Sequence, residues 1–117
     1  MTDPAAGPTK LGSGNYLKDR GYSDPAEMRV KFLLSNEIAL AIEDKVLSQK
    51  AAAELTNLKQ PDISRIVNGN VGDYSVWRLM RALSLLGRDI VIDIQQSGQE
   101  RGDINTNIAP AKQAAGR

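Results

Sequence analysis

Between Pro25 and Val46, apolar residues return every three or four positions: Val30, Leu34, Ile38, Ala41 and Ile42, with Leu33 beside them. That period puts them on one face of a helix. Glu37, Glu43 and Asp44 fall on the other side. Asp24 is a good N-cap, Pro25 suits the first helical position, and Glu27 suits the first turn. The pattern predicts a helix from Pro25 to about Val46. Ser48 caps a second, short helix over Gln49–Leu55, whose Ala51, Ala52 and Ala53 let a neighbouring helix approach closely. Asn57 stands where a tight turn needs positive φ, which Asn tolerates better than most residues. Leu58 is placed to plug the core at that turn. A third helix runs from about Gln60 to Val67 and ends at Asn68-Gly69. Its Ile63, Ile66 and Val67 point inward. Gln60, Asp62, Ser64 and Arg65 are left to face out. Ser75 caps a fourth helix through Leu86, with Leu79, Met80, Leu83 and Leu86 as its apolar stripe and Gly87 as its stop.

The period then changes. In Arg88–Gln95 the isoleucines Ile90, Ile92 and Ile94 alternate with Val91 and Asp93, which is a strand signature. A lone strand is not stable, and the chain offers no second convincing one. The simplest partner is the same segment of a second copy, so Ile90, Val91, Ile92 and Ile94 are the expected dimerisation residues. Residues 1–22 read as a flexible N-terminal arm, rich in Gly and Pro up to Gly14. Residues 23–95 read as one domain. Residues 96–117, dominated by Gly, Asn, Gln and Ala, read as a disordered tail.

Composition narrows the chemistry. The chain of 117 residues suffices for one domain. Aromatics are only 4%, so the core must be aliphatic. Fifteen basic and fourteen acidic residues leave a net charge of +1, so any positive face must come from local arrangement. No Cys and no His are present, which removes the usual zinc ligands and the commonest general base. No pair of carboxylates surrounds a pocket motif. No enzyme, metal or cofactor is expected. No apolar run approaches a membrane span, and the N-terminus has no apolar signal core. A cytoplasmic protein without membrane contact is expected.

The stretch Leu47–Gly69, LSQKAAAELTNLKQPDISRIVNG, has the parts of a helix-turn-helix. Small residues (Ala52, Ala53) stand where helices cross, Asn57 permits the turn, and Leu55, Leu58, Ile63 and Ile66 plug both sides. Periodicity alone leaves an ordinary helical hairpin open, with Gln60, Asp62 and Ser64 as a solvated face. The wording of the motif goes further. It resembles the helix-turn-helix of Xre/Cro-type repressors: Leu47-Ser48-Gln49, the alanines, the turn, then Ile63-Ser64-Arg65 and Asn68-Gly69. GSGNYLKDRGYSDPAEM before it and YSVWRLMRALSLLGRDIVIDI after it extend the resemblance, over roughly Gly12–Gln95, to the HigA-like antitoxin subgroup.

The resemblance implies a mostly α, lambda-repressor-like bundle of four to five helices, with the C-terminal β-strand paired across a homodimer. It implies a repressor that binds an inverted-repeat operator in double-stranded DNA and represses its own operon. It also implies a cognate protein toxin, an RNase of the RelE/HigB-like type, in a bacterial cytoplasm and on the nucleoid when DNA is bound. A stand-alone Xre-family regulator, phage-like or chromosomal, is the alternative. Carried onto this chain, Gln49 would bond a phosphate and Gln60 a base edge, adenine most favourably. Ser64 and Arg65 would contact phosphate or an edge further along. Lys50, Lys59, Pro61, Asp62, Asn68 and Asn70 complete the expected DNA-facing set.

Lys59 replaces the Ser that commonly caps this helix, losing the cap bond and setting a cation at the positive helix end. A phosphate contact by Lys59 would compensate. Asp62 has two readings: an acceptor for a cytosine amine, or an acidic group serving the helix dipole. Trp77 reads as core or rim rather than a base-stacking platform. Arg78, Arg81 and Arg88 read either as a phosphate-contacting edge or as solvated charges.

Overall fold

The computed structural model describes residues 24–108. The arm expected over 1–22 and the last residues of the expected tail lie outside them. Four helices follow in order: α1 Pro25–Asp44, α2 Gln49–Thr56, α3 Gln60–Val67 and α4 Val76–Leu85. α1 packs on α3 and α4, and α2 packs on the same two.

Local chemistry sets where each helix starts. The Asp24 carboxylate accepts from the Ala26 and Glu27 amides at 3.1 and 3.4 Å. Ser48 accepts from the Ala51 amide and Ser75 from the Arg78 amide, each at 3.0 Å. Each bond satisfies a donor that the helix itself leaves orphaned. The ends share one device. The amides of Leu47, Leu58, Asn70 and Arg88 reach back to the carbonyls of Ile42, Ala53, Arg65 and Leu83. In each case the residue before the donor has positive φ: Val46 (55°), Asn57 (61°), Gly69 (84°) and Gly87 (95°). This is the Schellman closure, which needs one left-handed residue.

Val46 is the odd member. A β-branched side chain at positive φ is strained. It also stops α1 at Asp44, two residues short of the expected end at Val46.

The core is aliphatic apart from Tyr74, with Ile38, Ile63, Leu79 and Leu86 fully buried. Two polar residues of α1 share its buried face. Ser35 donates to the Ile66 carbonyl at 2.7 Å, and the Lys31 ammonium donates to the Gly72 carbonyl at 3.1 Å. Lys31 also pairs with Glu27 at 3.5 Å, so its buried charge has partners on two sides.

Two expectations are corrected and a third is narrowed. Leu55 is 46% exposed and is not part of the core; the inward position falls to Thr56, whose hydroxyl donates to the Ala52 carbonyl at 2.8 Å. Of the two places expected for Trp77, core or rim, the core is ruled out, since it is 67% exposed. The Arg88–Gln95 segment is no strand, and no strand occurs among the described residues. The reason is the one that made a partner necessary: an extended segment without a ladder neighbour gains no hydrogen bonds. Ile90 packs on the core, while Val91, Ile92 and Ile94 lie open at 85, 69 and 90%. Beyond them, residues 96–108 run exposed without helix or strand. Among the described residues no helix is long and apolar enough to cross a membrane.

Val46 is 89% exposed, so replacing it sacrifices no packing. Val46→Asn is expected to raise stability by up to about 1 kcal/mol, because Asn adopts the left-handed conformation at lower cost. The denaturant midpoint should rise with an unchanged slope.

Candidate nucleic-acid interface

α3 is only eight residues long, so tertiary contacts must hold it. Ile63 and Ile66 are its anchors, exposed by 0 and 1%. Burying each contributes about 1.5–3 kcal/mol. With 3.6 residues per turn, fixing these two fixes the opposite arc. That arc carries Gln60, Pro61, Ser64, Arg65 and Asn68; all but Ser64, which is half-buried, are exposed. The Ser35 bond to the Ile66 carbonyl ties the last turn of α3 to α1. The Lys31 bond to Gly72 ties down the loop that follows.

Asp62 is the exception among the expected outward residues. It sits at the edge of the buried arc, and its carboxylate oxygen Oδ1 accepts from the Tyr74 hydroxyl at 2.6 Å and from Arg65 Nη1 at 2.8 Å. Arg65 Nη1 also donates to the Tyr74 hydroxyl at 3.2 Å. The Arg78 guanidinium lies 5.2 Å from the centre of the Tyr74 ring, within cation–π range. The protonation states follow. The Tyr74 bond holds the Asp62 carboxyl below its usual range, with the Lys59 backbone and the Arg65 and Arg78 charges acting the same way. Bonding to Tyr74, reinforced by the Asp62 charge, pushes Arg65 up. Burial, then the bond to Asp62, pushes the Tyr74 hydroxyl up. At neutral pH the three are therefore carboxylate, guanidinium and neutral phenol. Two internal bonds to Oδ1 and a side chain only 18% exposed weigh against the cytosine reading of Asp62 and toward a role within the protein.

The other expected residues fall as follows. Gln49 and Lys50 open α2 and are exposed. Lys59 is the N-cap residue of α3 and makes no side-chain cap bond. Asn68 donates to the Ser64 carbonyl at 2.8 Å, so its amide caps the helix end. Asn70 is exposed in the loop after α3. Arg88 is tied to Asp44 at 2.8 Å and belongs to the scaffold. Arg78 and Arg81 line a small cleft with Thr56, Asn57, Leu58 and Ala82, beside the turn between α2 and α3.

Tyr74, Lys31 and Ser35 escaped the sequence reading. Each carries a signal. Tyr74 directly precedes the N-cap Ser75, the place where an apolar residue staples a helix start. Lys31 and Ser35 share a face with Ile38 and Ile42 at spacings of four, three and four residues.

A family model for the helix-turn-helix domain matches residues 16–95. The chain belongs to the helix-turn-helix family. A solved structure assigned to the XRE family of transcriptional regulators is 30% identical to this helix-turn-helix protein. The match covers 74% of this chain and 97% of that one, with a TM-score of 0.65. The regulator is thus of Xre type, and its family and fold are those of DNA-binding proteins. None of the curated proteins matches it.

Within the regulator, α2 and α3 are the paired helices of the motif and Asn57 is its turn. The uncapped Lys59 sets a cation at the positive end of α3, against the helix dipole. Lys59→Ser supplies the missing acceptor and should stabilise the regulator by about 1 kcal/mol, read by chemical denaturation. A variant no more stable than the parent would show that the α3 amides are satisfied another way.

Proposed function

We propose that the regulator is a sequence-specific repressor that reads an inverted-repeat operator as a homodimer, with α3 as its recognition helix. One observation carries this reading: the outward arc of α3 gathers Gln60, Ser64, Arg65 and Asn68 on a helix anchored by two buried isoleucines. A short helix with polar tips and an apolar back suits the major groove. Gln60 can grip adenine through both amide atoms. Gln49, Lys50, Lys59 and Asn70 supply donors for phosphate, Arg65 offers donors to phosphate or to a base edge further along, and Pro61 shapes the first turn. These contacts set register and affinity; base contacts set sequence.

For the dimer, the open Val91, Ile92 and Ile94 support a pairing of Arg88–Gln95 with the same segment of a second copy. Two copies related by a two-fold axis would present their α3 helices about 34 Å apart, one turn of the duplex.

We further propose that it is the antitoxin of a toxin–antitoxin pair and represses its own operon. The HigA-like wording of Gly12–Gln95 supports this. So do the half-exposed Phe32 on α1 and the groove beside it, lined by Arg29, Val30 and Leu33 from α1 and by Ile104–Thr106. Such apolar exposure suits a protein partner.

A gel shift on the DNA upstream of the gene, with and without the neighbouring gene product, tests the whole reading. The regulator should shift that DNA, and a toxin partner should change the shift. Retarded DNA that the neighbour leaves unaltered would favour a stand-alone regulator. In the same assay Gln60→Ala should cost about 1–3 kcal/mol at one base pair and relax specificity there. An unaltered footprint would remove α3 from its role. Ile92→Asp should yield monomers in sedimentation and weaken operator binding; retained dimers would move the interface elsewhere.

A further inference from the structure

A carboxylate in the first turn of a helix offered to DNA is a liability, since phosphate repels it. The regulator handles Asp62 by closing a polar set around it. Tyr74 and Arg65 both donate to Asp62 Oδ1, and Arg65 Nη1 also donates to the Tyr74 hydroxyl. Tyr74 cannot swing away. It is 5% exposed, stands directly before the α4 cap, and lies under the Arg78 guanidinium. The set therefore joins α3 to the following loop and to α4.

Arg65 is the member that reaches solvent. Its side chain is 56% exposed, while that of Asp62 is 18% exposed. Only Nη1 takes part in the network. Nη2 and Nε make no hydrogen bond among the described residues, on a side chain that is mostly exposed. Their plane is set, because the guanidinium is flat and one corner is fixed by two acceptors.

On the reading of α3 as the recognition helix, we propose that Asp62 and Tyr74 are positioning residues that fix the orientation of Arg65, making it a specificity-determining donor fork instead of a free charge. A loose arginine neutralises whichever phosphate is near, and so strengthens binding to any duplex. A held arginine has already lost its rotamer freedom and presents paired donors in one direction only. The network thus trades general affinity for discrimination. Its charge states reinforce this, since the Asp62 carboxyl is held low and the phenol neutral.

The test compares the full chain with Tyr74→Phe, Asp62→Asn and Gln60→Ala. Each is titrated with the DNA upstream of the gene and with a scrambled duplex of the same composition, across a salt series. Melting curves check folding. Tyr74→Phe keeps the buried ring and loses only the hydroxyl. The ratio of native to scrambled affinity should fall about fivefold or more in Tyr74→Phe and in Asp62→Asn. Asp62→Asn should also bind scrambled DNA more tightly, because a repelling carboxylate is gone and the loosened Arg65 can take up a phosphate; the fall in the ratio, shared with Tyr74→Phe, is what reports the positioning role. A purely structural network would lower the melting temperature and leave the ratio unmoved; that result overturns the proposal. If Gln60→Ala lowers the ratio while the other two do not, α3 still reads DNA and only the positioning role falls. If Gln60→Ala leaves the ratio unmoved as well, both fall. Should Tyr74→Phe fail to fold, Asp62→Asn decides alone, because its amide oxygen still accepts the tyrosine bond.

Discussion

The burial of Ile63 and Ile66 governs the rest of the molecule. α3 is too short to stand alone, so these two side chains determine which way it faces. With them in the core, Gln60, Ser64 and Arg65 have no choice but the outer arc. Other scaffold contacts resist rotation about that anchor. The Ser35 hydroxyl holds the Ile66 carbonyl, and the Lys31 ammonium holds the loop carbonyl of Gly72. Removing the Ser35 hydroxyl would strand the buried Ile66 carbonyl without a partner, which costs more than the bond contributes. α1 therefore serves α3 twice, through apolar packing and through two buried donors.

A second layer acts at the ends of the helices. Three side-chain N-caps and four left-handed C-terminal closures keep the connections short. Short connections leave little slack between α2, α3 and α4. Among the described helices, the one start without a side-chain cap bond belongs to α3, at Lys59. A poor local choice there fits the proposed phosphate contact of Lys59, a charge held at some cost in stability. Around the corner, Tyr74 couples the same surface to α4 through Asp62 and Arg65.

Much of this was legible in the sequence because the signals are local. Asp24, Ser48 and Ser75 announce helix starts through chemistry that operates within three residues. Asn57, Gly69 and Gly87 announce the ends. The inward isoleucines of α3 follow from their spacing. What stayed hidden depends on contacts distant in sequence. Ser35 meets Ile66 and Lys31 meets Gly72 across 31 and 41 residues, and no period in the chain reports such pairs. Tyr74 and Asp62 are twelve residues apart in different elements, so Asp62 looked like one more polar tip. Leu55 and Thr56 show the limit of periodicity in an eight-residue helix, where a shift of one position exchanges the buried and exposed member. The alternation of Ile90, Ile92 and Ile94 is a true strand pattern without a ladder neighbour in its own chain.

The central claim is that α3 lies in the major groove with its outer arc toward the bases. The regulator contains no cysteine, so Ser64→Cys provides a single attachment point for an iron chelate that cleaves nearby DNA backbone. Bound to the DNA upstream of its gene, the labelled protein is predicted to cut in short clusters, offset between the strands as a reagent in the major groove requires. Cuts spread evenly along the duplex, or offset in the sense of the minor groove, would contradict the account.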